Sequence, residues 1–235
     1  MSQEFVNQLY RYYKCLQNGA LADYFGMTKD PTSCYMFVMR YYENENLYSY
    51  LAESMGNLCW RDVVDILWSI SAGLNVIHEL GLIHGNLHGG NILVERKMNS
   101  INAKIADTGL HGPANKQISQ TYGVIPFVAP EIFGGNTPTK ESDIYSFGLR
   151  PSVVSGTPPV FSKLMLQCLN SSPSSRPTAS QISECLENWV SDLPSQFDDT
   201  NVPFVNLEKL SLQSSLCHEK AIYFSRPLDS FVIQY

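Results

Sequence analysis

The chain has no basic run, no C-x-x-C pair and no apolar stretch as long as a membrane span. Sixteen Lys and Arg stand against 22 Asp and Glu, a formal net charge of -6, so nothing draws the chain diffusely to nucleic acid or to an anionic membrane surface. The six cysteines, Cys15, Cys34, Cys59, Cys168, Cys185 and Cys217, are scattered singly, which argues against a zinc knuckle or a disulfide framework and for reduced, buried thiols. The opening MSQEFVNQLYRYYK is polar and aromatic, without the apolar segment of a secretory leader. No internal repeat or low-complexity tract is present. These absences point to a soluble, cytoplasmic protein with no nucleic-acid and no membrane partner. What is present is 235 residues at 44% hydrophobic content, enough for one large domain or two small ones around a packed core.

Apolar spacing sketches the elements. Phe5, Leu9, Tyr12, Tyr13 and Leu16 recur at three and four, which predicts an amphipathic helix ending near Asn18-Gly19. Residues Ala20 to Met27 and Cys34 to Tyr41 are rich in aromatic and branched side chains and flank the turn-forming Lys29-Asp30-Pro31-Thr32, a β-hairpin pattern. From Trp60 to Leu80 the positions Val63, Leu67, Ile70, Leu74 and Ile77 keep helical period, with Gly81 where a C-terminal cap belongs. Ile92 to Val94 and Ala103 to Ala106 read as short strands; Val160 to Leu169 and Ala179 to Val190 read as helices, the second with Ile182, Leu186 and Trp189 on one face. The tail beyond Leu193 is less regular.

The stretch carrying most chemistry is His84 to Leu93, HGNLHGGNIL, followed by Asp107-Thr108-Gly109. The triplet also fits an aspartic-protease motif, but Leu110 replaces the small polar residue such enzymes need, and no second copy exists. His84 and His88, four apart, match a zinc-binding pair in spacing, yet the glutamate of H-E-x-x-H is missing and the Gly-rich segment suits a helix poorly. The remaining motifs decide between readings: VAPE at Val128 to Glu131, DIYSFG at Asp143 to Gly148 and SSRPTASQI at Ser174 to Ile182 follow in order.

Taken in this order and at these separations, the motifs resemble those of the protein kinases, in the tyrosine-kinase-like branch, from roughly Phe5 to Val190. The resemblance implies an α+β, protein-kinase-like fold: mostly the helical C-terminal lobe, with a partial N-terminal lobe made of one helix and the hairpin. It divides the chain into a truncated kinase-like domain at residues 1-192, with a partial N-lobe at 1-42 and a C-lobe at 43-192, and a tail at 193-235. No Gly-rich loop or strand lysine precedes the first helix, and Gly148 runs directly into Leu149-Arg150-Pro151 where relatives continue a helix, which reads as an internal deletion near 148-150.

By the same resemblance Met39 is the gatekeeper, and Arg40, Tyr41 and Tyr42 form the hinge that would meet an adenine edge. His84 supports the loop; Asn91 and Asp107 would ligate magnesium through oxygen, the donor hard cations choose. Glu131 and Arg176 form a structural ion pair, and Asp143 is likewise structural. Asn86 stands where the pattern expects the catalytic Asp, and a carboxamide has no useful basicity. Gly85 replaces an Arg that would grip a phosphorylated activation loop, leaving Ser119, Thr121 or Tyr122 without that partner. ATP and magnesium are the implied cofactors, with weak or no binding expected. The implied partners are proteins, kinase relatives or signalling partners. Two functions follow: a catalytically impaired regulatory or binding module, or an ATP-dependent Ser/Thr kinase acting on proteins in signal transduction.

Overall fold

A computed structural model of the chain describes residues 10, 13–17, 19, 21–32, 35–54, 58–98, 100–106, 122–148, 157–191 and 226–227. Residues 13–17 are helical and stop at a turn in which Gly19 takes φ +67, a left-handed backbone that suits glycine. The hairpin follows as β1 (Tyr24–Lys29) and β2 (Tyr35–Met39), antiparallel, with an irregularity between Tyr24 and Gly26. β1 starts later than the composition of Ala20 to Met27 suggests. Leu21 bridges Ile105 and the Ala22 N–H donates to the Ile105 carbonyl at 2.8 Å, so this stretch is held by a different sheet.

Helix α1 (Leu47–Glu53) comes next and was not evident from apolar spacing. Its signal is the cap: the Asn46 side chain accepts from the Tyr48 and Ser49 N–H groups at 3.0 and 3.2 Å, worth about 1 kcal/mol. Helix α2 (Trp60–Glu79) matches its expected span. Asp62 accepts from the Cys59 N–H at its start. At its end Gly81 (φ +70) donates to His78 and Leu82 to Ile77, the paired bonds of a glycine-terminated helix. Its inner face, Val64, Ile70, Leu74 and Ile77, is buried, and burying each such side chain contributes about 1.5–3 kcal/mol.

α2 packs on the ladder of β3 (Ile92–Lys97) and β4 (Ser100–Ile105) and on the last helix, described below. Both strands are longer than their apolar cores, because the register from Ile92↔Ile105 to Lys97↔Ser100 continues through polar, exposed positions. After β5 (Tyr122–Gly123) come α3 (Pro130–Phe133), α4 (Lys140–Phe147), α5 (Pro159–Cys168) and α6 (Ala179–Ser191), the last two within about one residue of expectation. Ile182 and Leu186 of α6 are fully buried against α2. Gly148, closing α4, sits so near Leu169 that a Cβ would come within 2.8 Å of its side chain. Leu149 to Pro151, Asp107 to Gly109, Ser119 and Thr121 lie outside the described residues, as does the tail apart from β6 (Arg226–Pro227), which pairs with β5. Among the described residues no helix is long and apolar enough to cross a membrane.

Candidate functional site

The loop between α2 and β3 is hung from one buried carboxylate. Asp143, 1% exposed on α4, accepts the His84 N–H at Oδ2 and the Gly85 N–H at Oδ1, both at 2.8 Å, and meets His78 Nε2 at 2.9 Å. Three partners satisfy a charge that would be costly to bury alone. His78 was not singled out by the motifs; its signal is a polar side chain next to Ile77 on the buried face of α2. Gly85 takes φ +75, so glycine here answers a backbone demand as well as lacking a guanidinium.

His84 works through both ring nitrogens. Nδ1 accepts the Asn86 N–H at 3.2 Å, and Nε2 lies 2.9 Å from the Ala106 carbonyl, which fixes the ring proton on Nε2. With both ring nitrogens so engaged, His84 offers no lone pair for a zinc pair with His88, whose Nδ1 accepts the Gly90 N–H at 3.1 Å and caps a short 3-10 turn at Gly89–Asn91. The His88 ring stacks on Tyr48 of α1, whose own ring lies over Gly89. Among the described residues no group of three or more His, Cys, Asp or Glu could hold a metal.

Asn91 is 9% exposed; its amide nitrogen donates to the Asn86 carbonyl at 2.9 Å, which turns the amide oxygen, the atom a hard cation takes, the other way. The Asn91 carbonyl accepts the Ala106 N–H at 2.8 Å. Ala106 is thereby clamped from both sides, by Asn91 and His84. Asp107 itself lies outside the described residues.

The structure also brings the hinge stretch to this loop. Tyr42 is buried with Ala22 and Ala106, and Leu93 and Tyr24 pack on them. Its hydroxyl accepts the Asp23 N–H at 3.1 Å, and burial pushes that phenol up from its usual range. Of the hinge backbone, the Arg40 N–H donates to the Asp23 carbonyl and the Tyr42 carbonyl accepts from Glu45. Arg40 pairs with Glu95 and Asp23 at the surface, Tyr41 is 79% exposed and Met39 is partly exposed at the end of β2.

A second buried pair closes the far side. Arg176 makes a two-pronged bond to Glu131 at 2.6 and 2.8 Å, donates to the Asn170 and Glu141 carbonyls, and lies over the Tyr145 ring at 4.9 Å. Burial alone would raise the Glu131 carboxyl, but the hydrogen bonds and charge of Arg176 outweigh it and hold the group below its ordinary range. Among the described residues the thiols are held in their protonated form: burial raises Cys15, Cys59 and Cys185, and pushes Cys168 up to about 12.

A loop hung from a helical aspartate, a histidine fastened to the residue before Asp107 and a distant Arg–Glu clamp define a protein-kinase type of frame. The protein tyrosine and serine/threonine kinase family matches residues 1–154, and the chain belongs to that family. It is 27% identical over 193 residues to a probable serine/threonine-protein kinase of Dictyostelium discoideum, covering 69% of this chain and 14% of that protein. It is 26% identical to the RGS domain-containing serine/threonine-protein kinase A of the same organism, over 66% of this chain and 16% of the relative. With the human dual specificity testis-specific protein kinase 2 the identity is 26%, over 65% of this chain and 32% of the relative. The chain thus spans less than a third of the length of each of these relatives. As a family, protein kinases bind ATP and magnesium and act on proteins.

Proposed function

We propose that this chain is a catalytically impaired member of the family, a regulatory module that binds proteins and retains the loop frame as scaffold. The observation that carries the reading is Asn86. It occupies the loop fastened by Asp143 and His84, and its carboxamide can orient a hydroxyl without accepting its proton, which forfeits a contribution of about 10²- to 10⁴-fold. On this reading the chain sits in the tyrosine-kinase-like branch, with a kinase-like domain at 1-192 and a tail at 193-235, and works in the cytoplasm on kinase relatives or other signalling proteins.

A second reading, slow ATP-dependent Ser/Thr transfer, draws support from Asn91. Its amide oxygen is turned away from Asn86, the arrangement a magnesium ligand needs. Asn91 and Asp107 would hold the ion, which supplies charge neutralisation at the phosphates, while the chain positions the reactants. Met39, Arg40, Tyr41 and Tyr42 would border the adenine.

The test is a nucleotide titration of the purified chain with and without magnesium, then transfer to a generic protein substrate, with Asp107→Ala as control. The impaired module binds nucleotide weakly or not at all and transfers nothing above the control. Magnesium-dependent binding together with transfer that Asp107→Ala abolishes would establish the second reading instead.

A further inference from the structure

Among the described residues the hairpin of β1 and β2 is a sheet of two strands. Tyr24 packs on Ala22 and Tyr42, but Phe25, Met36 and Val38 are exposed. A lone two-stranded ribbon is marginal in water, and further strands that share an apolar face are what ordinarily make one stable. Its two edges are not alike. β1 carries features that blunt an edge: an irregularity between Tyr24 and Gly26, the glycine itself and Lys29 at its end. β2, with the sequence YMFVM, has no charge, proline or glycine, and its residues pair without a break, so its outer edge is open to another strand.

The strand is complementary to itself. Set antiparallel about a two-fold axis through Phe37, β2 of one copy places Tyr35 opposite Met39 of the next, and Met36 opposite Val38. Met36 and Val38 alternate onto the same face, so these exposed side chains of both copies meet there. No charged residue falls within the ladder. Any shifted symmetric register leaves part of the strand unpaired, and the nearest one in one direction sets Arg40 against Met36. A strand of another protein would have to match this uncharged sequence, whereas a second copy always carries it.

We propose that the chain pairs with a second copy of itself along the outer edge of β2, giving one continuous sheet in the order β1, β2, β2, β1. Both open edges are used and only the blunted β1 edges remain outside, so assembly closes at two copies. The inference goes beyond the reading of the Asn86 loop and does not rest on it.

The test is the mass of the full chain in solution, by analytical ultracentrifugation from about 1 to 300 µM, the range in which a small interface associates. The native chain should pass from monomer to dimer. Met36→Glu and Val38→Lys should each weaken the dimer at least about tenfold, since a charge then faces an apolar side chain across the pair. Carried together they should restore it, because each introduced carboxylate faces the introduced ammonium of the other copy. Leu166→Lys, at an exposed position of α5, should leave the dimer unchanged. Phe37→Cys, oxidised with glutathione disulfide, should give a covalent dimer joined through the two introduced thiols, identified by peptide mass mapping. Opposed Cα atoms of an antiparallel pair lie about 4.5–5.5 Å apart, within the span a disulfide bridges. A chain that stays monomeric throughout the range leaves the edge to another protein's strand and overturns the proposal. So does a dimer that both single charges leave intact, that the doubly charged variant fails to restore or that Leu166→Lys also dissolves, and so does a Phe37→Cys chain that forms no such link.

Discussion

Beneath the loop and at the hinge, the chain uses charged side chains in opposite ways. Asp143 and the Arg176 side chain are 1% and 0% exposed, and each is surrounded by partners that leave little of its charge unanswered. At the hinge the Arg40 side chain is 46% exposed, and its partners Asp23 and Glu95 are 41% and 20% exposed. Solvent screens the second set and not the first, so similar ion pairs on paper have different consequences. The buried set fixes loop geometry and couples α2, α4 and α6 regions of the fold; the hinge set trims a surface. A frame built this way can persist whether or not the loop performs chemistry.

The contrast can be broken by substitution. Asp143→Ala should have the largest effect, about 4 kcal/mol in denaturant unfolding, because it leaves the buried His84 N–H and His78, and the part-buried Gly85 N–H, without their acceptor. Arg176→Ala should cost about 3 kcal/mol by stranding the Glu131 carboxylate. Because the folded Glu131 carboxyl is held below its ordinary 4.5, its contribution is present above that pH and is lost as pH falls through the folded value. Glu131→Gln should therefore flatten the acid limb of a stability–pH curve while leaving its shape near neutrality.

Gly89→Ala comes next, at about 1–3 kcal/mol, since a Cβ there would lie 2.5 Å from the Tyr48 ring. Combined with Tyr48→Ala it should cost less than the sum of the two single changes, and strict additivity would remove Tyr48 as the cause. Arg40→Ala should leave the unfolding midpoint unchanged within error at moderate salt. A clear loss there would erase the distinction between the two regions.

Much of this arrangement was legible in the sequence, for identifiable reasons. The period of α2 and Gly81 gave that helix and its end, and the ordered motifs placed His84, Asn91, Asp143, Glu131 and Arg176 in one family frame. Elements set by single polar contacts were harder to read. α1 depends on the Asn46 cap and Glu45 at φ +54, and the start of β1 depends on Leu21 and Ala22 joining Ile105, a pairing with no local signature. His78 as a partner of Asp143 needs two helices brought together. The β5–β6 ladder joins two residues of the activation-segment region to two in the tail, and no periodicity announces so short a pairing.

The most direct measurement is the rate of phosphate transfer from magnesium–ATP to a generic protein substrate by the native chain, set beside Asp107→Ala and Asn86→Asp under the same conditions. With the proton acceptor missing at Asn86, the native chain is expected to match Asp107→Ala at background. Native-chain transfer that requires magnesium and disappears in Asp107→Ala would contradict the proposed loss of activity.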